Sequence, residues 1–386
     1  MVLKRRLILG IGLLLTLLGS VANTQGNHHG ANSALMNQAV DDFNASRYAK
    51  AADELKSILK QNAKNADAHK LLAFVYIKEN KAADAVPELE TAVALAPEDT
   101  NARDNLGVLY LQTSRFDKAI ALYKAACLSD PKDPQAALYL GLALQQAGKN
   151  DDAVAAFQDA VKLQPIGPSY LQLGNALEKC GKHTESAAAF GSAADLNPKD
   201  AQAALFTGLL LHQTGNDAKA IPYLKNALAQ KTDNPFAAHL TLAQAYAAAK
   251  QPDDALTEFR AAEAASPADF GAAASLASAE QNAGRKAEAL AAYRRALTLK
   301  PDDPKAMAQV QSNLALLRME DNALNEAAAL LTQATQTDPT NPHFEVNLGI
   351  VYEKQHKKVE ARAAFQKALA IDPALPDARQ GLARVK

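Results

Sequence analysis

Eight prolines, Pro97, Pro131, Pro165, Pro198, Pro267, Pro301, Pro339 and Pro373, follow one another at intervals of 34, 34, 33, 69, 34, 38 and 34 residues. The 69 is two periods with one proline missing, because Thr232 in the stretch KTDNP stands in its place. A fixed period of this length predicts stacked supersecondary units, each too small to bury its own apolar face and each completed by its neighbours. In such an array 386 residues need not divide into two or three globular domains.

One period shows what the unit is. In TNARDNLGVLYLQTSRFDKAIALYKAACLSDPKD, residues 100–133, Leu106, Gly107 and Tyr110 are followed at helical spacing by Phe116, Ala119, Tyr123 and Ala126. Two amphipathic helices fit this pattern. Thr113-Ser114-Arg115 separates them, and Pro131 ends the second because it cannot donate the helix hydrogen bond. Asp133-Pro134, Gly167-Pro168, Asn234-Pro235, Asp303-Pro304 and Asn341-Pro342 each predict a capping residue before a proline that opens the next helix. Gly107, Gly141, Gly174, Gly208 and Gly349, with Ala73, Ala243, Ala277 and Ala315, share one position of the first helix, and Ala85, Ala119, Ala153, Ala220, Ala255, Ala289 and Ala361 share one of the second. These small residues let the helices approach closely, with Leu89, Tyr123, Phe157, Phe190, Phe259, Tyr293 and Phe365 filling the space beside them.

The order Leu-Gly, Tyr, Ala, aromatic, Ala, Pro resembles the tetratricopeptide repeat. The resemblance implies an all-α, right-handed superhelical solenoid of about ten helix-turn-helix units, beginning near residues 32, 66, 100, 134, 167, 201, 236, 270, 308 and 342 and spanning residues 32–375. Departures are modest: the chain has no tryptophan, Gln38 stands where leucine is usual, and Ser186 where alanine is usual. The spacing grows by four residues across 304–317, about one helical turn, so a lengthened helix is expected there with its buried face still in phase. Residues 376–386 read as a lone first helix that caps the array, with Leu382 and Ala383 at the repeat positions.

The chain opens differently. Lys4, Arg5 and Arg6 precede a mostly apolar run from Leu7 to Leu18 and then Ser20-Val21-Ala22, the anatomy of a signal peptide over residues 1–22 that is cleaved after Ala22. An uncleaved inner-membrane anchor is the alternative, although the run is short for a span of about 20 residues. Residues 23–31 form a polar linker. The expected location is therefore exported and periplasmic, or anchored in the inner membrane facing the periplasm, with no other membrane contact. Cys127 and Cys180 lie two units apart, and with helices packed about 8–10 Å apart they are too distant for a disulfide, so two free thiols are expected.

Charge excludes a polyanion partner. Losing Lys4, Arg5 and Arg6 with the leader reduces 41 basic residues to 38 against 42 acidic ones, which leaves no basic stripe for nucleic acid. Catalysis finds no foothold either. His69, His183, His212, His239, His343 and His356 are dispersed without metal-ligand spacing, there is no glycine-rich phosphate loop, and the glycines are accounted for by packing. With 31 residues before the array and 11 after it, no catalytic domain is expected, and no cofactor or metal.

What remains is recognition. In the repeat family that this chain resembles, first helices line a concave groove, and that geometry brings Phe74, Val108, Leu138, Leu142, Leu171, Asn175, Leu205, Leu209, His212, Leu240 and Gln244 to its surface. Leucines with a few amides suit an extended or helical segment of a partner protein. The same leucines could instead pad neighbouring first helices. The carboxylate clamp and asparagine ladder of the family are both disfavoured, because Lys70 is isolated and only Asn105, Asn313 and Asn347 stand at the ladder position. The expected function is a noncatalytic scaffold of the cell envelope that holds a partner segment; the alternative is a spacer or self-associating module that uses its convex face or its ends.

Overall fold

The computed structural model describes residues 31–299 and 301–385, and every regular element among them is an α-helix. The expected leader, residues 1–22, lies outside the described residues, as does all but the end of the linker. The chain forms two compact units, one ending at Pro165 and the other beginning at Ile166.

The first unit holds four helical hairpins: α1 (Ala31–Asn44) with α2 (Tyr48–Gln61), α3 (Ala66–Lys78) with α4 (Ala82–Leu95), α5 (Thr100–Gln112) with α6 (Phe116–Ser129), and α7 (Pro134–Gln146) with α8 (Asn150–Leu163). The second holds six more: α9 (Gly167–Lys179) with α10 (His183–Leu196), α11 (Ala201–Gln213) with α12 (Asp217–Ala229), α13 (Pro235–Ala248) with α14 (Pro252–Ala265), α15 (Phe270–Asn282) with α16 (Lys286–Ala296), α17 (Pro304–Glu320) with α18 (Leu324–Thr337), and α19 (Pro342–Lys354) with α20 (Lys358–Ile371). A last helix, α21 (Pro376–Arg384), lies against α19 and α20.

Each hairpin turns through one residue in the left-handed region. Ser46, Asn80, Ser114, Gly148, Gly181, Gly215, Lys250, Gly284, Asn322 and His356 all have φ between 57° and 77°. The αL residue ends the first helix and lets the next amide reach back to a free carbonyl, as Lys149 N does to Leu144 O at 2.9 Å. Six of the ten turns carry a side chain at this position and accept its strain.

The small first-helix residue meets the large second-helix residue sixteen positions later. A Cβ on Gly141 would lie 2.6 Å from the Phe157 ring, on Gly107 2.0 Å from the Tyr123 hydroxyl, and on Gly349 2.7 Å from Phe365. At Gly208 the neighbour is Leu224, at 2.5 Å, a residue that the sequence pattern had not marked. Ser186 is buried in the alanine position because its hydroxyl donates to Gly174 O at 2.9 Å, which removes the penalty of an unpaired polar group.

Helices open at Pro235 and Pro304, as their capping dipeptides predict, slightly ahead of the repeat starts expected near 236 and 308. In α17 the four extra residues form an added N-terminal turn, giving 17 residues, because Asp303 caps the helix ahead of Pro304. Asp133, Asn234 and Asn341 cap as their dipeptides predict. Gly167 does not: Ile166 takes the N-cap place without a side-chain bond, and Gly167 already lies inside the helix. Glycine has no side-chain oxygen to offer, and the loop here, 164–166, is one residue shorter than those before Ala66, Thr100 and Pro134. Gly381 of α21 packs on Phe365, where a Cβ would come within 2.4 Å, while Leu382 is half-buried and Ala383 is exposed.

Two caps also join consecutive hairpins. Asp99 Oδ1 accepts from Ala102 N while its Oδ2 receives Lys70 Nζ at 2.6 Å, and Asp133 Oδ1 accepts from Gln135 N and Ala136 N while its Oδ2 receives Arg103 Nη2 at 2.9 Å. Asp133→Ala removes a cap and an inter-repeat ion pair together. It should cost about 1–2 kcal/mol by urea unfolding, and more than Asp200→Ala, whose carboxylate caps Gln202 N and Ala203 N but has no ion pair among the described residues.

Candidate functional site

The first helices carry every residue of the expected groove. In the first unit, Phe74 on α3 is buried, and Val108 on α5 with Leu138 and Leu142 on α7 are half-buried. Helices α5 and α7, which carry Val108, Leu138 and Leu142, touch each other. In the second unit, Leu171 on α9, Leu209 and His212 on α11, and Leu240 and Gln244 on α13 are half-buried, Leu205 is buried, and Asn175 is exposed. Helices α11 and α13 are likewise in contact.

Several of these side chains have structural work already. Leu171 and Leu209 pack against the cluster of Ala204, Leu205, Leu224 and Leu242, and Leu240 packs against Ala243, Leu256 and Phe259. His212 Nδ1 lies 2.5 Å from Asp217 Oδ1 at the start of α12, so its ring is held within its own hairpin. Lys70 is held too, between Asp99 at 2.6 Å and Asp67 at 3.3 Å, and is not free to clamp a carboxylate.

A charged cluster flanks the apolar positions of the first unit. Asp104 stands one turn before Val108 on the same face of α5. Its Oδ1 accepts from Arg103 Nε at 2.9 Å, and the same guanidinium reaches Asp133. Burial pushes the Asp104 carboxyl up to about 6, and the negative charges of Asp133 and Asp99 add to the rise; Arg103 opposes it but is shared between two carboxylates. Beneath lie the stacked rings of Tyr123 and Tyr139, 5.1 Å apart, and the Tyr123 hydroxyl donates to the Asp104 carbonyl at 3.3 Å.

The sign of the resulting pH effect is fixed. A carboxyl raised from 3.8 to about 6 on folding contributes stability that is fully present below about 3.8 and is lost as pH rises through about 6. Relative to Asp104→Asn, the native chain should therefore gain stability as pH falls from 7 to 4. A series of urea midpoints for the two proteins checks this, and parallel curves would contradict it.

Paired histidines are what sequence reasoning missed. His69 Nδ1 meets Glu88 Oε2 at 2.5 Å, and His239 Nδ1 meets Glu258 Oε2 at 2.6 Å, each pair tying a first helix to its second. The two histidines share a repeat position and so do the two glutamates, a signal that the period could have exposed. His183 also pairs, with Glu178 at 3.1 Å. Among the described residues no group of three or more His, Cys, Asp or Glu could hold a metal ion. Neither Cys127 nor Cys180 is in a disulfide. No described helix is long and apolar enough to cross a membrane.

Comparison with known proteins fixes the family. A tetratricopeptide-repeat family model matches residues 36–99, 72–137, 105–169, 171–235 and 240–304, and a second matches residues 318–384. The chain belongs to the tetratricopeptide-repeat family. Such arrays are protein–protein interaction scaffolds and are typically noncatalytic. Among solved structures, the chain is similar to the anaphase-promoting complex assembly Cut9–Hcn1, with 15% identity over 92% of this chain and 96% of that one and a TM-score of 0.45. It is similar to yeast Tom70, with 15% identity over 92% and 94% and a TM-score of 0.39. It is also similar to YrrB, described as a TPR protein with an unusual peptide-binding site, with 20% identity over 50% and 97% and a TM-score of 0.44. A search of curated proteins finds no match.

Proposed function

We propose that this protein is a noncatalytic scaffold of the bacterial cell envelope that holds a segment of a partner protein against the first-helix faces of its repeats. The observation that carries this reading is the set of half-buried leucines on first helices: Leu138 and Leu142 in one unit, and Leu171, Leu209 and Leu240 in the other. Each keeps apolar surface in water, and covering it is worth about 25 cal/mol per Å². The basic start at Lys4, Arg5 and Arg6 and the apolar run after it support export.

A second reading has an observation of its own. Leu128 near the end of α6 is 83% exposed and Val359 on α20 is 80% exposed, both on second helices. Apolar residues so placed favour self-association through the outer face.

Photo-crosslinking in intact cells separates the two. With a photoreactive side chain at Leu142, a discrete adduct with another protein is expected, and at Leu128 none. An adduct from Leu128 only, with a second copy of this chain, would move the site to the second helices.

A further inference from the structure

Asp104 is a carboxylate on an otherwise apolar part of the first-helix face, and it is poorly supplied with counter-charge. Val108 follows it one turn on, and Leu138 and Leu142 occupy the matching positions of α7, which packs against α5. The side chain is 22% exposed, so it is desolvated by its surroundings yet can still be reached. Arg103, itself 10% exposed, divides its guanidinium between Asp104 and Asp133. The other nearby cation, Lys70, is taken by Asp99 and Asp67. Four carboxylates thus share two cations, and the neighbouring Tyr123 and Tyr139 add no positive charge. The carboxyl rises to about 6 for these reasons, burial first.

A largely buried carboxylate whose one cation, Arg103, is shared with Asp133 is only partly compensated, and a second cation would improve its balance. A metal ion does not fit, since no described cluster has the donors for one. The remaining candidate is an organic cation that arrives with apolar neighbours. Resting on the reading that partner segments bind the first-helix face, we propose that the segment bound by the first unit presents a lysine or arginine to Asp104, flanked by apolar side chains that pack on Val108, Leu138 and Leu142. A charge-assisted bond in this partly dry position would be stronger than the same contact in water, and acidic segments would be rejected by Asp104, Asp99 and Asp133.

The test uses the purified full chain and a displayed library of random twelve-residue peptides. Enriched peptides should carry Lys or Arg in a fixed register between apolar residues, and should label a photoreactive group at Leu142. Replacing that cation by norleucine in the peptide should weaken binding to the native protein about 10-fold or more. Asp104→Asn should lose a similar factor toward the unchanged peptide, Asp104→Glu should retain most of the binding, and the double change should cost no more than either single one. Because the norleucine peptide is measured against the native chain, the result does not depend on how any variant folds. Peptides that label Leu142 but bind equally well with norleucine would overturn this proposal and leave the scaffold reading standing. A selection yielding no peptide that labels Leu142 would count against both.

Discussion

Phe157→Ala should destabilise the first unit by about 3–5 kcal/mol, the range for removing a fully buried aromatic ring. The ring lies against the Gly141 backbone so closely that a methyl group there would come within 2.6 Å of it. Gly141→Ala should therefore also destabilise, by about 1–3 kcal/mol, despite the better helix propensity of alanine. The two losses should not add. Once the ring is gone, the new methyl enters the space it vacated, and the double variant should be more stable than the sum of the single losses predicts. Because a solenoid can open one unit at a time, amide hydrogen exchange in α7 and α8 is the appropriate measurement. Additive losses would mean that the glycine and the ring do not share the space.

That pair was legible in the sequence, because Gly141 and Phe157 recur with the period, and sixteen residues is the offset that packs one helix of a hairpin on the other. The same offset identifies the large partner that the sequence pattern left unmarked in one repeat. In the stretch IPYLKN, Tyr223 is the aromatic residue, yet the phase assigns the core place to Leu224, which is fully buried, while the Tyr223 hydroxyl reaches out to Asp195 at 3.1 Å. Helix starts were legible wherever the capping residue has a side-chain oxygen, as at Asp133 and Asn341, and failed at Gly167, which has none.

The candidate site was less legible, for a different reason. Sequence position puts Leu138, Leu142, Leu205 and Leu209 on the first helices, but it does not reveal how much of each is spent on packing. Leu205 turns out to be core, whereas Leu142 keeps a reachable edge. Nor could it reveal that Arg103 serves Asp104 beside it and Asp133 thirty residues on, since that sharing arises only when one hairpin stacks on the next. Periodicity fixes the backbone and the small-to-large contacts; the division of charge is decided between repeats, by side chains that do not repeat.

Leu142→Asn should reduce partner capture by about 30-fold or more, the effect expected of an apolar anchor worth at least about 2 kcal/mol at the centre of an interface. The photoreactive group is moved to Val108 for this experiment, so that the altered residue is not also the probe. An amide on a half-buried site should cost about 1–2 kcal/mol of stability, which leaves a folded chain to compare. Leu209→Asn tests the other unit and should cost more stability, since Leu209 also packs on the cluster containing Leu205, Leu224 and Leu242. Loss of capture out of proportion to loss of stability at Leu142 is the signature of a working surface. If adduct yield from Val108 stayed the same in Leu142→Asn, the leucine would be padding between α5 and α7, and the first-helix face of this unit would have to be abandoned as the site.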